Sequence, residues 1–141
     1  MAHLTIEGLD GERASLEREA LQQGGGALVS FTGIVRPDRR PDGCLVTALW
    51  YEAYAAMAEL QLERLIAQAK MQWPLGTVRM RHRLGLVPAG RTSVVILVAA
   101  PHRREAFAAS QFLLEGLKRD VPIWKREHYD DGTTAWITCR H

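Results

Sequence analysis

Two of the chain's three lysines fall within eight residues, Lys118-Arg119-Asp120-Val121-Pro122-Ile123-Trp124-Lys125, while fifteen arginines supply almost all the remaining positive charge. The contrast bears on chemistry. A guanidinium stays protonated, whereas a desolvated lysine can lose its proton near neutral pH and act as base, acid or nucleophile. Lys118 and Lys125 are therefore candidate catalytic groups. The alternative is a pair of amphipathic side chains whose stems cover apolar surface. Phe107, Gln111, Leu114 and Lys118 recur at helical spacing, which predicts a half-buried helix face carrying Lys118, where desolvation favours the neutral amine. On the following strand, alternation puts Lys125 on the side of Ile123 and Glu127, with Trp124 and Arg126 opposite. Glu127 can then pair with Lys125. The Val121-Pro122 break reverses the chain, so both lysines can face one cleft.

Two further basic positions stand out. His102-Arg103-Arg104 follows a strand and opens a helix, where the macrodipole prefers Asp or Glu. Free N–H groups and cationic side chains there suit an anion such as phosphate; the plain alternative is a solvated surface. Arg36 ends another strand, after Phe31-Thr32-Gly33, where glycine permits close backbone approach. Arg79, Arg81 and Arg83 alternate along one strand and are read as a solvated face or contact surface without a catalytic role.

These groups need a scaffold, and 141 residues predict one domain spanning 1–141. A formal charge of +2 gives no support to a general nucleic-acid coat. The longest apolar run, Val94 to Ala100, is too short to span a membrane. Early acidic residues (Glu7, Asp10, Glu12) do not fit a secretion signal, so a cytoplasmic location is expected. Cys44 and Cys139 lack a CxxC partner or metal-like spacing, and in a cytosolic chain a disulfide between them is disfavoured.

Apolar spacing predicts helices over Glu12 to Gln23, ended by Gly24-Gly25-Gly26, and over Ala55 to Gln72, closed by Trp73-Pro74. A third runs from Pro101, suited to a first turn, to about Lys118. Strands are expected at Ala27 to Val35, Leu45 to Tyr54 (paired with the first), Val78 to Leu84 and Ser93 to Ala100. The last two flank a Pro88-Ala-Gly90 turn. A closing hairpin joins Ile123 to Tyr129 and Thr133 to Thr138 about Asp130-Asp131-Gly132. The predicted class is α+β with a mainly antiparallel sheet and about three helices.

Taken in order, six segments resemble the MoaE family, the large, catalytic subunit of molybdopterin synthase. They are Phe31-Thr-Gly-Ile-Val-Arg36; Tyr51-Glu-Ala-Tyr54 with Met57; Trp73-Pro-Leu-Gly76; His82-Arg83-Leu-Gly85; His102-Arg103 with Ala106-Phe107; and Lys118 with Pro122-Ile-Trp-Lys-Arg-Glu127. The resemblance implies an α/β hammerhead fold and a sulfurtransferase that turns cyclic pyranopterin monophosphate into molybdopterin, the dithiolene of the molybdenum cofactor. Sulfur would arrive as a thiocarboxylate on the C-terminal Gly-Gly of a small ubiquitin-like carrier (MoaD type), in a heterotetramer built on a homodimer of the large subunit. No cofactor, metal, membrane or nucleic acid is implied. Carried over by position, Ile34, Val35, Arg36, His102, Arg103, Lys118, Lys125, Arg126 and Glu127 would bind substrate, with Lys118 and Lys125 catalytic. Two positions depart from the family pattern: Ile34, where some relatives carry lysine, and Arg91, often acidic. The competing reading is a non-catalytic module holding an anion or RNA through Arg36, Arg103 and Arg126.

Overall fold

A computed structural model describes residues 3–22 and 25–137. Its elements run β1 (Leu4–Thr5), α1 (Glu12–Leu21), β2 (Ala27–Ile34), β3 (Val46–Ala53), α2 (Ala55–Gln72), β4 (Val78–Arg83), β5 (Gly85–Pro88), β6 (Thr92–Ala100), α3 (Arg103–Asp120), β7 (Ile123–Tyr129) and β8 (Thr134–Ile137). The class is α+β with three helices, as expected. Gln23, Gly24, Thr138 and Cys139 lie outside the described residues.

The strands form two sheets of four, ordered β1-β4-β6-β2 and β5-β3-β7-β8. Every pairing is antiparallel except the short β1–β4 contact. Strand β6 is buried along its whole length because helices cover both faces of the first sheet. Val94, Ile96 and Val98 pack against α2 and α3, while Val95 and Leu97 meet Leu9 and Leu16 beside α1. Such a strand reads as one continuous apolar run instead of an alternation.

Helix α2 buries Ala58, Leu62, Leu65 and Ala69, one stripe at helical spacing, and stops where Trp73 turns extended before Pro74. Helix α3 buries Ala106, Ala109, Ser110, Leu113, Gly116 and Leu117. A Cβ at position 116 would lie 2.4 Å from Leu65 Cδ2, so glycine sets the close approach of the two helices.

Two expectations are corrected. The first two long strands do not pair: β2 lies against β6, and β3 sits in the other sheet between β5 and β7. Residues 35–45 carry the chain from one sheet to the other, so this link is no hairpin. Pro101 precedes the His102 N-cap instead of occupying the first turn. Of the two readings given to the β4 arginines, the contact surface holds for Arg79 and Arg81. Arg81 pairs with Glu12 at 2.7 Å and Arg79 with Glu19, which fixes α1 to the sheet.

The two clamps differ in burial: the Arg81 and Glu12 side chains are 12% and 24% exposed, those of Arg79 and Glu19 35% and 40%. Arg81→Met is expected to cost about 1–3 kcal/mol of folding stability in urea titrations, because it strands a partly buried carboxylate. Arg79→Met is expected to cost ~1 kcal/mol or less. Equal losses would mean burial does not set the strength of these clamps.

Candidate active site

Where the two sheets meet the C-terminal end of α3, a cavity of about 520 Å³ opens. Strand β2 supplies one wall, from Phe31 to Ile34, continued by Val35 and Arg36. The β2–β6 register slips between Gly33 and Ile34, leaving Ser93 out of the ladder, and the Ser93 hydroxyl donates to the Gly33 carbonyl at 3.3 Å. A bulge of this kind re-aims the strand end. Glycine is required there, since a Cβ would fall 2.5 Å from Val94 Cγ1. Beyond the bulge Ile34 turns outward and Val35 inward.

The opposite wall comes from the joint between α3 and β7. Val121 is extended at the end of the helix, and the Pro122 carbonyl accepts the Tyr54 N–H at 3.2 Å, which ties the joint to the start of α2. Lys118 projects from the last helical turn, where the carbonyl ends favour a cation. Lys125 projects from β7 on the same side as Ile123 and Glu127. All four line the cavity, so the two lysines share it.

The burial expected for Lys118 is corrected: it is exposed on the cavity rim. The buried stripe of α3 runs through small residues one step out of phase with the stripe read from Phe107, which is itself 63% exposed. Nor is a Lys125–Glu127 ion pair formed among the described residues. Glu127 Oε1 instead accepts the Tyr129 hydroxyl at 2.8 Å.

Tyr51 and His82, absent from the candidates read in the sequence, complete the floor. Tyr51 is paired in register with Lys125 across β3–β7, and its ring meets the His82 ring edge-on at 4.8 Å. His82 Nδ1 lies 2.8 Å from the Arg83 carbonyl, which only accepts, so Nδ1 carries the proton and Nε2 the lone pair. Burial pushes the imidazole down to about 4, with the charge of Lys125 adding to the shift, so it is neutral at pH 7. The alternating burial of Val78, Met80 and His82 is the signal that could have found it.

Three cations (Arg36, Lys118, Lys125) therefore face two carboxylates (Asp38, Glu127) around a neutral imidazole, an arrangement suited to an anionic ligand. Arg36 is mostly exposed and 3.3 Å from Asp38, leaving it free to reorient.

Three further candidates are not brought to this cavity. Arg126 faces the other side of β7, its guanidinium 5.2 Å from the Trp136 ring centroid. His102 and Arg103 open α3, and the fifteen helical steps from Arg103 to Lys118 span roughly 22 Å along its axis. Cys44 Sγ donates to Asp131 at 3.3 Å, and that contact holds the thiol up at about 11, a weak nucleophile at pH 7.

The MoaE protein family matches residues 7–120. The chain belongs to the MoaE family. Among its MoaE relatives, the molybdopterin synthase catalytic subunit of Thermoplasma volcanium is 45% identical over 111 residues, covering 79% of this chain and 80% of that protein. The protein of the same name from Nostoc is 39% identical over 114 residues, covering 80% and 68%. The crystal structure of molybdopterin synthase from Staphylococcus aureus superposes with a TM-score of 0.86 at 32% identity, covering 98% of this chain and 97% of that one. A complex of subunits 1 and 2 of the Helicobacter pylori molybdopterin-converting factor shares the MoaE fold with a TM-score of 0.80 at 24% identity, covering 97% and 90%.

Proposed function

We propose that this chain is the catalytic partner in molybdopterin synthesis, moving sulfur from the thiocarboxylated C-terminus of a small ubiquitin-like carrier to cyclic pyranopterin monophosphate. The observation that carries the reading is the convergence of Lys118 and Lys125, from a helix end and a strand, on one cavity in a MoaE chain. In each transfer the thiocarboxylate sulfur attacks a substrate carbon and a carbon–oxygen bond breaks. The oxygen leaves with a proton, and water then releases the carrier as a carboxylate. The net change is one sulfur exchanged for one oxygen, with no oxidant or reductant.

Lys118 supplies the proton, and Lys125 stabilises the charge that develops on the carrier's acyl oxygen. Arg36 holds the substrate phosphate at the cavity mouth, and Ile34 contributes backbone only. Val35 and Glu127 complete the substrate contacts. His102, Arg103 and Arg126 lie outside this cavity and enter the reading through a second copy, in a homodimer that carries one small subunit at each end. Residues 1–141 act as one catalytic unit. No described helix is long and apolar enough to cross a membrane, and we place the reaction in the cytoplasm.

The test is to mix purified protein, thiocarboxylated carrier and precursor and to follow the product by mass spectrometry. Dithiolene product is expected. Unchanged precursor with an intact thiocarboxylate would refute the assignment. In the same assay Arg36→Ala is expected to raise KM about 10-fold with little change in kcat, as for loss of a contact made equally in ground and transition states.

A further inference from the structure

Among the described residues that line the cavity, Glu127 has its carboxylate held from behind. Its Oε1 accepts the Tyr129 hydroxyl at 2.8 Å, and both side chains sit on the cavity-facing side of β7. Tyr129 does not line the cavity. Its ring is buried with Val35, Val46, Leu49 and Val87 in the small core of the second sheet. The remaining face is covered by the Arg40 guanidinium, 4.6 Å from the ring centroid.

Arg40 belongs to the segment between β2 and β3, where its N–H donates to the Cys44 carbonyl at 2.8 Å and its carbonyl accepts the Gly43 N–H at 2.9 Å. A buried ring with a cation on its face has one place to send its hydroxyl proton, and that place is Glu127. The hydroxyl titrates above the usual tyrosine range because it is buried and faces the Glu127 carboxylate.

We propose that Tyr129 is a positioning residue for the sulfur-transfer site: its hydroxyl fixes Glu127 so that Oε2 is presented to Lys125 and to the donor groups of the bound substrate. A half-buried glutamate lining an open cavity would otherwise sample several rotamers, and each would move a full negative charge relative to Lys125. Holding one oxygen removes that freedom before substrate arrives, as second partners do for ligating side chains elsewhere. Arg40 extends the arrangement to the 37–43 segment, because its guanidinium keeps the ring pressed against the core.

The inference rests on the sulfur-transfer reading above, and its test separates the two. Turnover by the unmodified protein with thiocarboxylated carrier decides the reading; ratios between variants decide the role of Tyr129. Tyr129→Phe keeps the ring beneath the Arg40 guanidinium but deletes the hydroxyl, and with it the hydrogen bonds to Glu127 and to Arg40. It is expected to lower kcat about 10-fold with KM changed less than about 3-fold, since the interaction serves orientation of the reacting groups. In a Glu127→Gln background, the same substitution is expected to cost less than about 2-fold, because residues acting as a unit are not additive.

Val87→Ala, in the same small core but away from the cavity, controls for stability: it should lower the unfolding midpoint and leave kcat within about 2-fold. Equal losses from Tyr129→Phe in both backgrounds, or full activity of Tyr129→Phe, would overturn the proposal. So would a kcat loss in Val87→Ala matching that of Tyr129→Phe. Should Tyr129→Phe fold poorly, Arg40→Ala in the two backgrounds reads the same coupling, with a smaller loss that again must vanish when Glu127 is Gln.

Discussion

Lys118→Ala is expected to slow sulfur transfer by at least ~10²-fold, the effect of removing an acid–base group from a transition state. The loss should appear in single-turnover kcat and leave folding intact. Lys118 is exposed on the rim, while the neighbouring Gly116 and Leu117 hold α3 to the core. Truncating an exposed lysine costs little stability, so the unfolding midpoint should stay near that of the parent. Lys118→Arg distinguishes proton transfer from simple charge, because a guanidinium keeps the charge and cannot give up its proton. It should remain slow. Recovery of the parent rate by Lys118→Arg would reassign the residue to electrostatic binding, and near-parent turnover by Lys118→Ala would remove it from the chemistry. Lys125→Ala is expected to fall similarly, with weaker substrate binding as well.

Acid should weaken the fold through His82. The imidazole sits at about 4 in the folded chain against an ordinary value of 6.5. Between these values the unfolded chain takes up a proton that the folded chain refuses. Stability from this group is therefore complete above pH 6.5 and is lost as pH falls towards 4. A gap of this size corresponds to on the order of 3 kcal/mol. Urea titrations at pH 7 and pH 4.5 should show most of that loss, and His82→Gln should flatten the dependence over the same window. An unchanged free energy of unfolding across the window, or an equal fall in His82→Gln, would contradict the burial of a neutral imidazole beneath the cavity.

What could be read from the residues alone follows how local each signal is. Helix α2 matched its predicted bounds because its stripe, from Ala58 to Ala69, and its stop at Trp73-Pro74 are written in adjacent turns. The β7–β8 hairpin was legible for the same reason: Asp130-Asp131-Gly132 states the turn. The partner of β2 was not, because it is β6, some sixty residues away, and hairpin logic favours the neighbour in sequence. Lys118 was placed on a buried face because Phe107 is large and apolar, although alanines and a glycine fill the interface of α3. Small residues carry weak hydrophobic signal and tight packing.

The site divides in the same way. The lysines announced themselves by residue type, and alternation put Lys125 and Glu127 on one side of a strand. Tyr51 and His82 stand in family-like segments, and alternation along β4 puts His82 on its inner side, yet nothing in the local sequence says that their rings meet. They reach the cavity because β3 and the end of β4, from different sheets, bring their rings to 4.8 Å. Tyr129 was read only as a strand end, yet its hydroxyl decides where the Glu127 carboxylate points.

The most direct test of sulfur transfer at the shared lysine cavity uses a carrier whose thiocarboxylate sulfur is isotopically labelled. In a single turnover, both sulfurs of the pterin product should carry the label, and the Lys118→Ala/Lys125→Ala double variant, folded and still able to bind carrier, should leave it on the carrier. Unlabelled product, or label transferred by the double variant at the parent rate, would contradict the account.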